Sequence, residues 1–173
     1  MTDTRTGRQA LFDEAVDKYG PALQRVVCAY EAVPDRRGDV LQEIYLALWQ
    51  SFEAFDGRCA LGTWVYRVAH NTATTVCIRR RDRLRLVTLD DIEPAADPPS
   101  FGSAIDDDRA RGRLLDLVHR LKPLDRQIVL LYLEGLDAAA TGEIVGLSAG
   151  NVATKIHRIK KVLADQFHER SRR

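Results

Sequence analysis

Residues 137–163, DAAATGEIVGLSAGNVATKIHRIKKVL, bring together side chains suited to reading duplex DNA. Asn151, Thr154, Lys155, His157, Arg158 and Lys161 combine short polar groups with cations. Such groups bond base edges and phosphates within a major groove about 12 Å wide. They can act together only if a helix carries them on one face. Val152, Ile156, Ile159 and Leu163 recur at helical spacing and supply the opposite, buried stripe. Upstream, Ala138 to Val145 reads as a short helix. Gly146 follows as a left-handed C-cap, Leu147 as an apolar plug and Ser148 as the N-cap of the next helix. The pattern is a helix-turn-helix, whose second helix enters the groove. A lone motif of this kind fits many regulators.

Two further constellations lie upstream. Residues 55–83, FDGRCALGTWVYRVAHNTATTVCIRRRDR, place Trp64, Tyr66 and Arg67 before Asn71, Thr74 and Thr75, and end in Arg79, Arg80, Arg81 and Arg83. Aromatics, amides and hydroxyls beside arginines suit single-stranded DNA, whose bases need stacking platforms and whose phosphates need cations. The same residues also fit a plainer reading, with the aromatics in a core and the arginines at a helix C-terminus. Residues 39–50, DVLQEIYLALWQ, form an amphipathic helix with Leu41, Ile44, Tyr45 and Leu48 turned inward. Asp39, Gln42, Glu43 and Leu46 line the other side, a stripe that resembles a protein-docking surface or else a solvated face.

Catalytic chemistry is not indicated. Phosphodiester cleavage usually needs convergent carboxylates around metal. Asp106, Asp107 and Asp108 are instead a contiguous helix start without a nucleophile or base beside them. Cys28, Cys59 and Cys77 are an odd number without C-x-x-C spacing, as expected for reduced thiols in a cytoplasm. No cofactor, metal site or small-molecule substrate is expected, and His157 has no metal role.

The elements that must position these groups are helical. An all-α fold is expected, since strand alternation and hairpin signals are nearly absent. Gln9 to Tyr19 and Pro21 to Ala32 read as two helices broken at Gly20-Pro21. Asp35 then stands as N-cap of a helix to about Ser51. Phe52 to Gly62 reads as a loop, and Thr63 as the cap of a helix to Arg83. Helices follow over Asp106 to Leu121 and Pro123 to Glu134, then the helix-turn-helix. Among 173 residues, Lys plus Arg number 26 and Asp plus Glu 25. That near-neutral balance conceals a division. Residues 1–88 carry 13 basic and 11 acidic side chains, residues 89–108 none and seven, and residues 109–173 13 and seven. The acidic stretch also holds Pro94, Pro98 and Pro99, so it reads as a linker between two small helical domains. The expected boundaries are 8–86, 87–105 and 106–170, the last a four-helix domain. The longest aliphatic-aromatic runs are about six residues, against roughly 20 for a membrane span, so no membrane insertion is expected. The polar N-terminus shows no secretory signal.

Taken in order, Asp39-Val40-Leu41-Gln42-Glu43, Thr63-Trp64-Val65-Tyr66-Arg67, Leu124-Asp125-Arg126-Gln127 and Gly146-Leu147-Ser148 resemble a bacterial RNA polymerase sigma factor of the extracytoplasmic-function (ECF) type, from about Leu11 to Leu163. The resemblance implies a subunit that directs core polymerase to promoters and assists strand opening. It places Asp39, Gln42, Glu43 and Leu46 on the polymerase clamp helices. It assigns Arg58, Leu61, Trp64, Asn71, Thr74, Thr75, Arg79 and Arg80 to −10 DNA, and Asn151, Thr154, Lys155, His157, Arg158 and Lys161 to −35 DNA. It further implies flap contacts by the helices of Asp106 to Glu134, and an anti-sigma partner. The acidic linker is similar to ones that thread toward the polymerase RNA path, though a solvated tether fits equally.

Leu61 and Gly62 depart from the aromatic and larger residues common in relatives. Thr141 and Gly142 replace the usual Ile and Ala, and Gly142 is expected to weaken its helix by roughly 1 kcal/mol. The competing reading is a stand-alone helix-turn-helix regulator that dimerises on palindromic half-sites.

Overall fold

Apolar residues every three or four positions generate the seven α-helices found among the described residues, which pack because each has a stripe to bury. The structure is a computed structural model that describes residues 3–87 and 106–171, with side chains over 7–80 and 111–166. The first half holds α1 (Asp3–Tyr30), α2 (Arg37–Ser51) and α3 (Leu61–Val87). Leu23, Val26, Val40, Ile44, Leu48, Val65, Ala69 and Ala73 fill its core. The second half holds α4 (Asp106–Arg120), α5 (Pro123–Leu133), α6 (Ala138–Val145) and α7 (Ala149–Ser171) around Ile128, Leu131, Ile144, Val152 and Ile159. No strand occurs among the described residues.

Three local expectations are corrected. The chain does not break at Gly20-Pro21, because α1 runs through Pro21. An interior proline costs roughly 3 kcal/mol, whereas burying one Leu or Val side chain contributes about 1.5–3 kcal/mol. Ala22, Leu23, Val26 and Val27 are all buried beyond it, while Pro21 itself is exposed. Asp35 caps nothing; Pro34–Arg36 form a 3-10 turn, and α2 starts at Arg37 without a side-chain cap. Thr63 is not the N-cap of α3, which starts at Leu61 and leaves Thr63 buried inside its first turn. The acidic stretch expected as a linker lies outside the described residues from 88 to 105, as do the side chains of Arg81, Arg83 and Asp106 to Asp108.

The two halves pack directly on each other, α3 against α6 and α1 against α4. Ala22 and Tyr66 meet Leu131 and Ile144 in one apolar cluster. Burial, with Glu134 nearby, pushes the Tyr66 hydroxyl up to about 12. Arg25 donates both Nε and Nη2 to the Glu134 carboxylate, at 2.5 and 2.6 Å. Arg67 Nη2 donates to the Glu143 carbonyl at 2.6 Å. His119 Nε2 lies 2.9 Å from the Cys28 carbonyl. Arg126 stacks over Tyr30 and donates to the carbonyls of Val118, His119 and Leu121. It thereby supplies side-chain donors to carbonyls around the end of α4, where the helix runs out of its own N–H groups.

Candidate nucleic-acid and polymerase interface

The helix-turn-helix forms as its sequence demands. Asp137 caps α6, its carboxylate accepting from Ala140 N at 2.8 Å. Gly146 takes φ 75°, the left-handed region that L side chains disfavour. Gly146 N and Leu147 N both donate to the Gly142 carbonyl, at 2.9 and 3.1 Å, which folds the turn back onto α6. Ser148 Oγ accepts from Asn151 N at 3.3 Å. On α7, Val152 and Ile159 are buried and Ile156 and Leu163 half-buried, so the expected inward stripe is present.

Gly142 has a steric role that helix propensity alone does not show. A Cβ there would sit 2.5 Å from the Leu147 carbonyl oxygen, which is backbone and cannot swing aside. Glycine therefore costs propensity in α6 while giving the turn its closest approach. Gly62 is similar but softer: a Cβ would meet the Tyr19 hydroxyl at 2.7 Å, the mobile end of a side chain.

The outer face of α7 exposes Asn151, Thr154, His157, Arg158 and Lys161 together. Thr154 Oγ1 donates to the Gly150 carbonyl at 2.9 Å. Lys155 is only half exposed, and its Nζ is 2.9 Å from Asp125 Oδ1. Asp125 belongs to the Leu124-Asp125-Arg126-Gln127 motif, where the resemblance gives it no role of its own. No sequence signal joins it to a lysine 30 residues away.

On α2, Asp39, Gln42, Glu43 and Leu46 are all exposed, and Leu46 retains 52% of its surface. Val40, Ile44 and Leu48 are buried on the far side. The remaining group is more dispersed. Asn71, Thr75 and Arg79 are exposed along α3, with Thr74 half-buried beside them, and Thr75 Oγ1 donates to the Asn71 carbonyl. Arg58 is exposed in the loop ahead of α3 and pairs with Asp56. Leu61 and Trp64 are half-buried against the core. Trp64 Nε1 donates to Ser51 Oγ at 2.9 Å, and its ring stands edge-on to Phe55. Arg80 reaches Glu31 at 3.4 Å and Asp39 at 3.2 Å, which ties the arginine group to the α2 stripe. Tyr66 and Arg67 face the second half of the chain, so the aromatic-arginine segment is divided between a surface and an internal seam. A cleft of about 560 Å³ opens at that seam beside Tyr30, Arg80, His119 and Arg126. No group of side chains able to hold a metal occurs, and no helix is long and apolar enough to cross a membrane, among the described residues.

The chain matches the family model for Sigma-70 region 2 over residues 15–84, and that for Sigma-70, region 4 over residues 111–163. It is 27% identical over 172 aligned residues to the ECF RNA polymerase sigma-E factor of Haemophilus influenzae, covering 93% of this chain and 89% of that protein. It is 24% identical over 184 aligned residues to the ECF RNA polymerase sigma factor SigW of Bacillus subtilis, covering 98% and 95%. Among solved structures, it shares its fold with CnrH in complex with the cytosolic domain of CnrY, at a TM-score of 0.67 and 19% identity, over 97% of this chain and 94% of that one. It likewise shares the fold of the sigma factor RpoE, solved with the anti-sigma factor NepR from Bartonella quintana, at 0.66 and 20% over 89% and 94%. A stand-alone helix-turn-helix regulator would account for the region 4 match alone. Since regions 2 and 4 are both present, in order and on the all-helical frame that ECF factors share, the chain belongs to the ECF type of sigma-70 factors, which direct RNA polymerase to promoters and are not enzymes.

Proposed function

We propose that this sigma factor divides its work among three surfaces. The α2 stripe of Asp39, Gln42, Glu43 and Leu46 docks on the clamp helices of core polymerase. The exposed side of α3, with Arg58, Leu61 and the accessible part of Trp64, engages −10 DNA through Asn71, Thr74, Thr75, Arg79 and Arg80. The outer face of α7 reads the −35 element. On this reading residues 8–86 and 106–170 are the two domains, 87–105 links them, and α4 and α5 touch the polymerase flap. The factor works in the cytoplasm. An anti-sigma factor is its regulator, supported by the partners with which CnrH and RpoE were solved.

The observation that carries this reading is the α2 stripe. Val40, Ile44 and Leu48 fill the core side of α2, which leaves Leu46, 52% exposed on the opposite face between acids and an amide, as an apolar anchor for a partner. The full chain is expected to co-elute with core polymerase. The double substitution Asp39→Ala with Glu43→Ala should weaken that association on the order of tenfold, as loss of docking anchors does. Arg158→Ala should leave core binding unchanged and reduce promoter binding. Undiminished co-elution of the double variant would remove the α2 stripe from the interface.

A further inference from the structure

Asp125 lies in the first turn of α5, where the helix N-terminus favours a carboxylate. Its side chain keeps only 11% of its surface. The carboxylate faces α7, with Oδ1 2.9 Å from Lys155 Nζ and Oδ2 3.7 Å from Arg158 Nη2. Lys155 is thereby drawn toward the body of the second half and keeps 29% of its side-chain surface, whereas Arg158 keeps 69%. Lys160 reaches Tyr132, its Nζ 3.4 Å from the hydroxyl. Two of the cations on the candidate DNA-reading helix thus face an acid of the same chain.

We infer that Asp125 is a specificity-determining residue of this helix: by neutralising Lys155 it limits sequence-independent phosphate attraction. The inference rests on the proposed DNA-reading role of α7. Phosphate contacts by Lys and Arg supply affinity without sequence information, while short polar groups on base edges supply discrimination. An internal carboxylate that occupies one lysine lowers the first contribution and leaves Asn151 and Thr154 exposed for the second. Arg158, farther from Asp125 and more exposed, remains available to DNA.

The test measures binding of the full chain, by fluorescence anisotropy over a range of salt concentrations. One probe is a 30-base-pair duplex selected from a randomised pool by the unaltered protein; the other is its scrambled counterpart. Asp125→Asn should tighten binding to the scrambled duplex several-fold. It should steepen the salt dependence by about 0.9 in log–log slope, the value for neutralising one more phosphate, and lower the ratio of selected to scrambled affinity. Equal weakening on both duplexes with an unchanged slope would make the pair a structural tie and overturn the inference. A second variant tests whether the gain runs through Lys155. Asp125→Asn combined with Lys155→Gln, which leaves neither charge of the pair unmatched, should return the slope to that of the unaltered protein, whereas a slope still steeper by about 0.9 would mean that the gain does not come through Lys155, against the inference. Failure of the unaltered chain to select any duplex would instead overturn the DNA-reading role of α7, and this inference with it.

Discussion

Gly142→Val is expected to destabilise the second half of the chain by roughly 2–3 kcal/mol, within the usual range for overpacking. The new Cβ would lie 2.5 Å from the Leu147 carbonyl oxygen and 3.6 Å from Ala149 N. Both atoms belong to the turn that aims α7, so relief can come only by moving that helix or unwinding α6. Denaturant titration and thermal melting measure the loss. For a chain of this size the melting temperature should fall by roughly 5–10 °C. Duplex binding should fall further than stability alone requires, since the turn sets the pose of the exposed α7 face. Gly142→Ala gives the sharper contrast. Helix propensity alone makes alanine about 1 kcal/mol better, whereas the close approach to Leu147 makes it worse. A more stable alanine variant would show that the turn can yield, and would return Gly142 to the role of a weak point.

Acidification from pH 7 to 5 is expected to cost about 2 kcal/mol of stability through His70 alone, by proton linkage. His70 is fully buried on α3, with Nδ1 3.2 Å from the Tyr30 hydroxyl and no partner at Nε2. Burial pushes its pKa down to about 3, from about 6.5 in an unfolded chain. Between those values the unfolded chain binds a proton that the folded chain refuses. The stabilisation is therefore complete above about 6.5 and drains away as pH falls toward 3, at close to 1.4 kcal/mol per pH unit. His119, also lowered chiefly by burial, acts in the same direction. Denaturant titrations at pH 7 and 5 on the parent and on His70→Asn test this. The variant should start less stable and lose about 2 kcal/mol less between the two conditions. Equal losses would assign the acid sensitivity to other groups.

Much of the frame was legible without coordinates. The apolar spacing of α2 and α7 places Ile44, Leu48, Val152 and Ile159 inside, and all four are buried. The Gly146-Leu147-Ser148 turn follows from the conformational freedom of glycine and the capping chemistry of serine. Both are short-range effects that a few residues contain in full. Boundaries were less legible where long-range packing outweighs a local signal, as when α1 continues through Pro21. The same limit applies to sites. Spacing put Asp39, Gln42, Glu43 and Leu46 on one exposed face, because a helix alone determines that.

By itself the sequence determined the helical class, the two-region order, the turn of the helix-turn-helix and the charge division that a near-zero total conceals. Only the tertiary structure decided that Tyr66 and Arg67 sit in a seam, that Arg126 closes the end of α4, that Gly142 lies close against the Leu147 carbonyl, and that Asp125 holds Lys155. The physical reason is range. Caps and stripes act within one or two helical turns, whereas each of these decisions depends on atoms brought together from separate elements, as far apart in sequence as Arg67 and Glu143 or Asp125 and Lys155.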